Sequence, residues 1–96
     1  IGYKQGDSII DITAGAGALI KGCDKPYAVE LEEFMAKALK AAIPDVQLTT
    51  GDAFDVDIPA TDYSVLNPPY GLDTKEWEFA QVALDALNKG GKLAVI

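Results

Sequence analysis

The stretch Ser8-Ile9-Ile10-Asp11-Ile12-Thr13-Ala14-Gly15-Ala16-Gly17 decides how the chain folds. Ser8 to Ile12 is a short β-branched run behind the polar pair Gly6-Asp7, so it reads as a buried strand. The small residues after it form a strand-to-helix turn, and Gly22 leaves Leu19, Ile20 and Lys21 room for only a short helix. Outward from there, Pro26 to Glu30 reads as a second strand. Leu31 to Ile43 is a helix striped by Leu31, Phe34, Met35, Leu39, Ala42 and Ile43 and ended by Pro44. Val46 to Thr50 and Tyr63 to Leu66 are strands three and four. Asp73 with Glu76 is a capping-box signature for a helix facing the core through Trp77, Ala80, Leu84 and Leu87 and ended by Gly90-Gly91. Lys92 to Ile96 begins strand five. Strands alternating with helices at this spacing predict an α/β domain, a doubly wound parallel sheet spanning residues 1–96.

Composition removes several kinds of chemistry. The 96 residues carry 15 acidic and 8 basic side chains, the basic ones all Lys, for a net charge of -7 with no Arg and no His. No planar fork is present for bidentate recognition of phosphate or guanine, and the acidic balance opposes collection of a nucleic-acid backbone. Absence of His with a lone Cys23 excludes Ser/His and Cys/His nucleophile pairs, imidazole metal sites and thiolate clusters, so no metal is expected. No apolar run approaches the roughly 18 to 20 residues of a membrane span, and Asp11 interrupts any signal-like stretch, which reads as a cytoplasmic chain. The first residue is Ile1 rather than Met, and the last lies inside an apolar strand whose bare edge would invite pairing, so the sequence reads as a piece of a longer protein with residues before and after it, carrying the N-terminal part of the fold.

In a doubly wound sheet ligands bind beyond the carboxyl ends of the strands. After the first strand, Gly15 and Gly17 allow a close approach of ligand to backbone, or simply a tight turn; Ile20 stands where a dinucleotide fingerprint has its third Gly. Glu30 ends the second strand, where a carboxylate can accept two ribose hydroxyls or serve as an anion at the start of the next helix. Asp52 follows the third strand, placed to accept an adenine amine beside the ring of Phe54, or to close an Asx turn.

The end of the fourth strand is more specific. Asn67-Pro68-Pro69-Tyr70 arises by chance in on the order of one in a thousand chains of this length. Two prolines fix φ and remove two N–H donors, leaving carbonyls free as acceptors beside Asn67. Tyr70 adds a flat face for stacking. The cluster suits a substrate that donates hydrogens.

These motifs, in this order and each at a strand end, resemble the class I S-adenosylmethionine-dependent methyltransferases. Among them the closest likeness is to the amino-methyltransferases that carry NPPY, above all the DNA adenine N6 enzymes of restriction-modification systems. The resemblance covers residues 8 to 96 and implies a Rossmann-like methyltransferase fold, present here as strands one to five. It implies that Asp11, Gly15 and Gly17 hold the methionine part of the cofactor S-adenosylmethionine, with Thr13 and Ala14 in the same binding turn. Glu30, with Leu31 beside it, would hold the ribose, and Asp52, Ala53 and Phe54 the adenine. Asn67, also against the cofactor, would receive the target amine with Pro68 and Pro69, and Tyr70 would stack on the base. The implied partner is DNA, contacted through parts outside this segment, such as a target-recognition domain or partner subunit. Two alternatives share the motif: methylation of a protein glutamine, as in release-factor methyltransferases, or of an RNA amine. A third reading is a truncated, non-catalytic cofactor-binding module, and the segment by itself is expected to be inactive.

Overall fold

The computed structural model describes residues 6–13, 19–67 and 76–96. Five strands, β1 (Ser8–Asp11), β2 (Lys25–Glu30), β3 (Gln47–Thr50), β4 (Thr61–Leu66) and β5 (Leu87–Val95), form one sheet. Its order is β3-β2-β1-β4-β5, and every neighbouring pair is parallel. Parallel strands need crossovers, and two are helical: α1 (Glu33–Ala42) between β2 and β3, and α2 (Glu76–Asp85) between β4 and β5.

The alternation of β1 sends neighbouring isoleucines to opposite faces. Ile9 packs with Ile20, Ala28, Leu39, Ile43 and Val46 in a core that includes α1. Ile10 packs with Ile12, Val29, Leu66 and Ala83 in a second core that includes α2. The neighbours Ala28 and Val29 on β2 divide in the same way, so the sheet is buried on both sides, as a doubly wound sheet must be.

Each helix buries only part of its expected stripe: Leu39, Ile43 and Ala80 turn inward as expected, whereas Leu31, Phe34, Ala42, Trp77 and Leu84 are exposed. On α1 the inward residues are Ala36 and Leu39, continued by Ile43, whereas Phe34 is 79% exposed. On α2, Phe79, Ala80, Val82 and Ala83 meet the core, while Trp77 and Leu84 face outward. The small Ala36, Ala80 and Ala83 let both helices lie close to the sheet, a geometry that the larger Phe34 and Trp77 would hold apart.

The Gly90-Gly91 pair does not end α2, which stops at Asp85. It lies within β5, where Thr61 pairs with Leu87 but Tyr63 already pairs with Lys92. Five residues of β5 therefore span the rise of two on β4, and the glycines carry the excursion. Leu19 to Gly22 form a turn rather than helix, with the Cys23 amide donating to the Ile20 carbonyl at 3.2 Å. The capping pair rests on Asp73, outside the described residues.

At the amino-terminal edge Asp62 ties three strands together. Its Oδ2 accepts from the Ser8 amide and hydroxyl, both at 3.0 Å, and its Oδ1 accepts from Asn88 Nδ2 at 3.0 Å. Its own amide donates to Ser8 Oγ at 2.9 Å.

Candidate functional site

A cleft of about 380 Å³ opens at the carboxyl ends of β1 to β4. Ile12 and Thr13 enter it from the end of β1, and Val29, Glu30 and Leu31 from β2. Gly51, Asp52 and Ala53 follow β3, Asn67 follows β4, and Phe79 comes from the first turn of α2. The cleft straddles the β1/β4 boundary, where the winding of the sheet reverses, the position at which open α/β sheets bind ligands.

Asp11 lies beneath this surface, 2% exposed. Its Oδ1 accepts from the Thr13 amide at 2.8 Å and from the Thr13 hydroxyl at 2.9 Å. Burial pushes the Asp11 carboxyl above its ordinary value; the two Thr13 bonds act against that rise, and the nearby Glu30 charge adds to it. The Thr13 hydroxyl is also an acceptor, taking the Asn67 backbone amide at 3.3 Å.

Glu30 and Asp52 each take the local structural role that the sequence offered, and both also face the cleft. Glu30 Oε2 accepts the Glu32 amide at 2.8 Å at the entry to α1, and the side chain also lines the cleft. Asp52 Oδ1 closes an Asx turn with the Phe54 amide at 2.9 Å and likewise lines the cleft. Between them Gly51 donates its amide to the Glu30 carbonyl at 2.9 Å. Its φ of +149° and the 2.7 Å that would separate an added Cβ from Val56 Cγ1 leave glycine alone suited to this wall.

Of the residues expected at the site, Thr13, Glu30, Leu31, Asp52, Ala53 and Asn67 line one cleft, with Asp11 directly behind it. Phe54 does not line it. Its ring packs on Phe79, centroids 4.8 Å apart and planes 47° from parallel, and Phe79 is the ring on the cleft wall. The helix stripe read through Trp77 leaves Phe79 out, and an aromatic residue in an amphipathic helix has core burial as its ordinary explanation. Ile12, just beyond β1, and Val29 on β2 are apolar residues that serve core and cleft together. Ala14, Gly15, Gly17, Pro68, Pro69 and Tyr70 lie outside the described residues.

The chemistry of the wall is one-sided. Carboxylates and an amide face the cleft, and no lysine lines it among the described residues. Such a site repels phosphate and suits a ligand with positive charge and hydrogen-bond donors. S-adenosylmethionine, with a sulfonium, an ammonium, two ribose hydroxyls and an adenine amine, fits that donor set. Among the described residues no group of ligating side chains could hold a metal, and no helix is long and apolar enough to cross a membrane.

No family model matches the chain. It is 36% identical over 73 residues to the "probable ribosomal RNA small subunit methyltransferase A" of Pyrobaculum aerophilum, covering 71% of this chain and 32% of that protein. It is 33% identical over 81 residues to the "probable dimethyladenosine transferase" of Dictyostelium discoideum, covering 74% of this chain and 26% of that one. The chain thus spans about a third or less of the length of these relatives. Among solved structures, TrmN from Thermus thermophilus superposes with a TM-score of 0.74 at 25% identity, over 95% of this chain and 33% of that one. Coclaurine N-methyltransferase, bound to N-methylheliamine and SAH, gives 0.74 at 18% identity, over 97% and 31%. The fold is the Rossmann-like fold of the class I methyltransferases, represented by part of its length.

Proposed function

We propose that the chain is the cofactor-binding part of an S-adenosylmethionine-dependent methyltransferase that modifies the exocyclic amine of adenine in small-subunit ribosomal RNA. The observation that carries this reading is the cleft at the switch point, lined by Glu30 and Asp52 without a lysine and bordered by Asn67. RNA takes the place of the DNA expected from the NPPY resemblance because the curated relatives carry ribosomal RNA and dimethyladenosine in their names.

Asp11 and Thr13, with Ala14, Gly15 and Gly17, hold the methionine part. Glu30 and Leu31 take the ribose, Asp52 and Ala53 the adenine, and Phe79, braced by Phe54, supplies the apolar wall. When bound, the cofactor supplies a methyl group on an electrophilic sulfonium. The adenine amine is a weak nucleophile because its lone pair is delocalised into the ring. Acceptors placed around its hydrogens, Asn67 and the Pro68 carbonyl, favour a tetrahedral nitrogen whose lone pair points outward. Pro69 stiffens that acceptor loop, and Tyr70 stacks on the base, which RNA presents most readily from unpaired segments. Transfer breaks the sulfonium–methyl bond, leaving S-adenosylhomocysteine as a neutral thioether, and the methylated amine gives up one proton to water.

The test is transfer of labelled methyl from S-adenosylmethionine by the full-length protein to small-subunit rRNA, with unmethylated DNA in parallel. Label is expected in rRNA adenines, falling about a hundredfold or more with Asn67→Ala, and cofactor binding is expected to be lost with Glu30→Ala. Label confined to DNA would return the acceptor to DNA, and absence of cofactor binding by the wild type would end the proposal.

A further inference from the structure

We propose that Thr13 is a positioning residue whose hydroxyl holds Asn67 in place against the cofactor cleft through the buried Asp11 carboxylate. This inference rests on the functional reading above, which makes Asp11 part of the cofactor wall and Asn67 an acceptor for the target amine.

The β1/β4 ladder registers Asp11 against Val65, and β4 ends at Leu66. The Leu66 carbonyl is taken by the Ile96 amide at 2.8 Å, so β5 secures the end of β4 at Leu66. Asn67 is exposed, and its backbone amide donates across to Thr13 Oγ1 at 3.3 Å. That oxygen donates its own hydrogen to Asp11 Oδ1 at 2.9 Å. A hydroxyl can accept and donate at once, which makes a directed chain from the Asn67 amide through Thr13 to a carboxylate. Each bond in such a chain polarises the next, and the anionic end strengthens both.

Two consequences follow from the geometry. The Thr13 hydroxyl ties the acceptor side of the reaction to the cofactor side, so a small displacement of Asn67 is resisted by this bond. The tie ends on a carboxylate just behind the cleft, so a ligand that changes the field at Asp11 is felt at the Asn67 amide. Valine at position 13 keeps the shape and removes both bonds, whereas serine keeps both bonds and removes a methyl.

The experiment compares the full-length wild type with Thr13→Ser and Thr13→Val, with Thr13→Ala as a second hydroxyl-free variant should the valine form not fold. Amide resonances are followed while S-adenosylhomocysteine is titrated, and methyl transfer to rRNA is measured alongside. The Asn67 amide is expected to shift on ligand binding in the wild type and Thr13→Ser and to shift clearly less in the hydroxyl-free variants, which keep only the direct effect of a ligand in the cleft. Affinity for S-adenosylhomocysteine is measured alongside, so that any loss at the methionine site is separated from kcat, which is expected to fall on the order of tenfold to a hundredfold in the hydroxyl-free variants and to stay near the wild-type value in Thr13→Ser. An Asn67 amide that responds alike in all variants, an unchanged kcat in Thr13→Val, or a serine variant as impaired as valine would overturn the proposal. If the wild type binds no S-adenosylhomocysteine, it is the functional reading that fails. Hydrogen exchange at the Asn67 amide then still decides the tie: faster exchange in Thr13→Val than in Thr13→Ser upholds it, and equal rates overturn it.

Discussion

Asp11 is a residue at which folding and binding pull in opposite directions. It is nearly inaccessible, and burial raises its pKa, so the folded chain binds that proton more readily than the unfolded one. Stability is therefore lost as pH rises from the ordinary carboxylate range through the raised value, and the ionised group opposes folding at neutral pH. Asp11→Asn keeps an oxygen that can accept from Thr13 and removes the charge. The variant is expected to melt at a higher temperature than the wild type at pH 7, with the difference shrinking below about pH 4. Its affinity for S-adenosylmethionine should fall about tenfold to a hundredfold, the range of a charged hydrogen bond. Melting scans across pH, with calorimetric titration of the cofactor, check both halves, and a variant that loses stability at pH 7 would refute the first. At this scale the sequence was legible wherever a polar residue closes an apolar strand: Glu30 and Asp52 stand out because a carboxylate there has no packing role to explain it. Phe79 was not legible in the same way, since an aromatic residue in an amphipathic helix has core burial as its ordinary explanation.

Among the elements, β5 departs most from its expected form. Glycine pairs usually mark helix ends, and that statistic placed Gly90-Gly91 after α2. Here the pair is required for a different reason, because a Cβ at Gly91 would lie 2.8 Å from the Asp62 carbonyl oxygen and 2.9 Å from that of Asn88. Both are backbone atoms that cannot swing aside. Gly91→Ala should cost about 2 kcal/mol, in the range of an overpacked site, read as a lower midpoint in urea with an unchanged slope. Asp62, which β5 covers, contributes through its charge. The Ser8 amide, then the Asn88 side chain and the Ser8 hydroxyl, hold its carboxyl below the ordinary value. That stabilisation is fully present above the ordinary carboxylate pKa and disappears as pH falls through the depressed one. Asp62→Asn should therefore be less stable than the wild type at pH 7 and lose less on acidification below about pH 4; parallel acid-limb slopes in the two proteins would contradict this. The helices were recognised as elements but misphased, because a hydrophobic period has no label for which of two overlapping stripes is inward. Alanines lost that comparison on hydrophobicity and won it on proximity to the sheet.

For the whole molecule the governing fact is charge. A net charge of -7 with no arginine meets RNA, itself a dense polyanion, and the proposed reaction brings the two together. The cleft explains part of the acidity, since carboxylates facing a cationic cofactor suit its binding, but it supplies no attraction for a phosphate backbone. Counterion release, which provides most nonspecific affinity for nucleic acid, needs lysines or arginines grouped along one surface. Under the proposed function, this composition leaves RNA capture to surfaces other than those of these 96 residues. The expected outcome is that this segment, produced alone and added to fluorescently labelled small-subunit rRNA fragments, shows no saturable binding at physiological salt up to about 100 μM, the weak end of nonspecific affinities. The full-length protein should bind the same fragments with an affinity that falls as salt rises. Tight, steeply salt-dependent binding by the segment itself would mean that its eight lysines are grouped more effectively than the net charge implies, and that RNA is engaged from the cofactor-binding half.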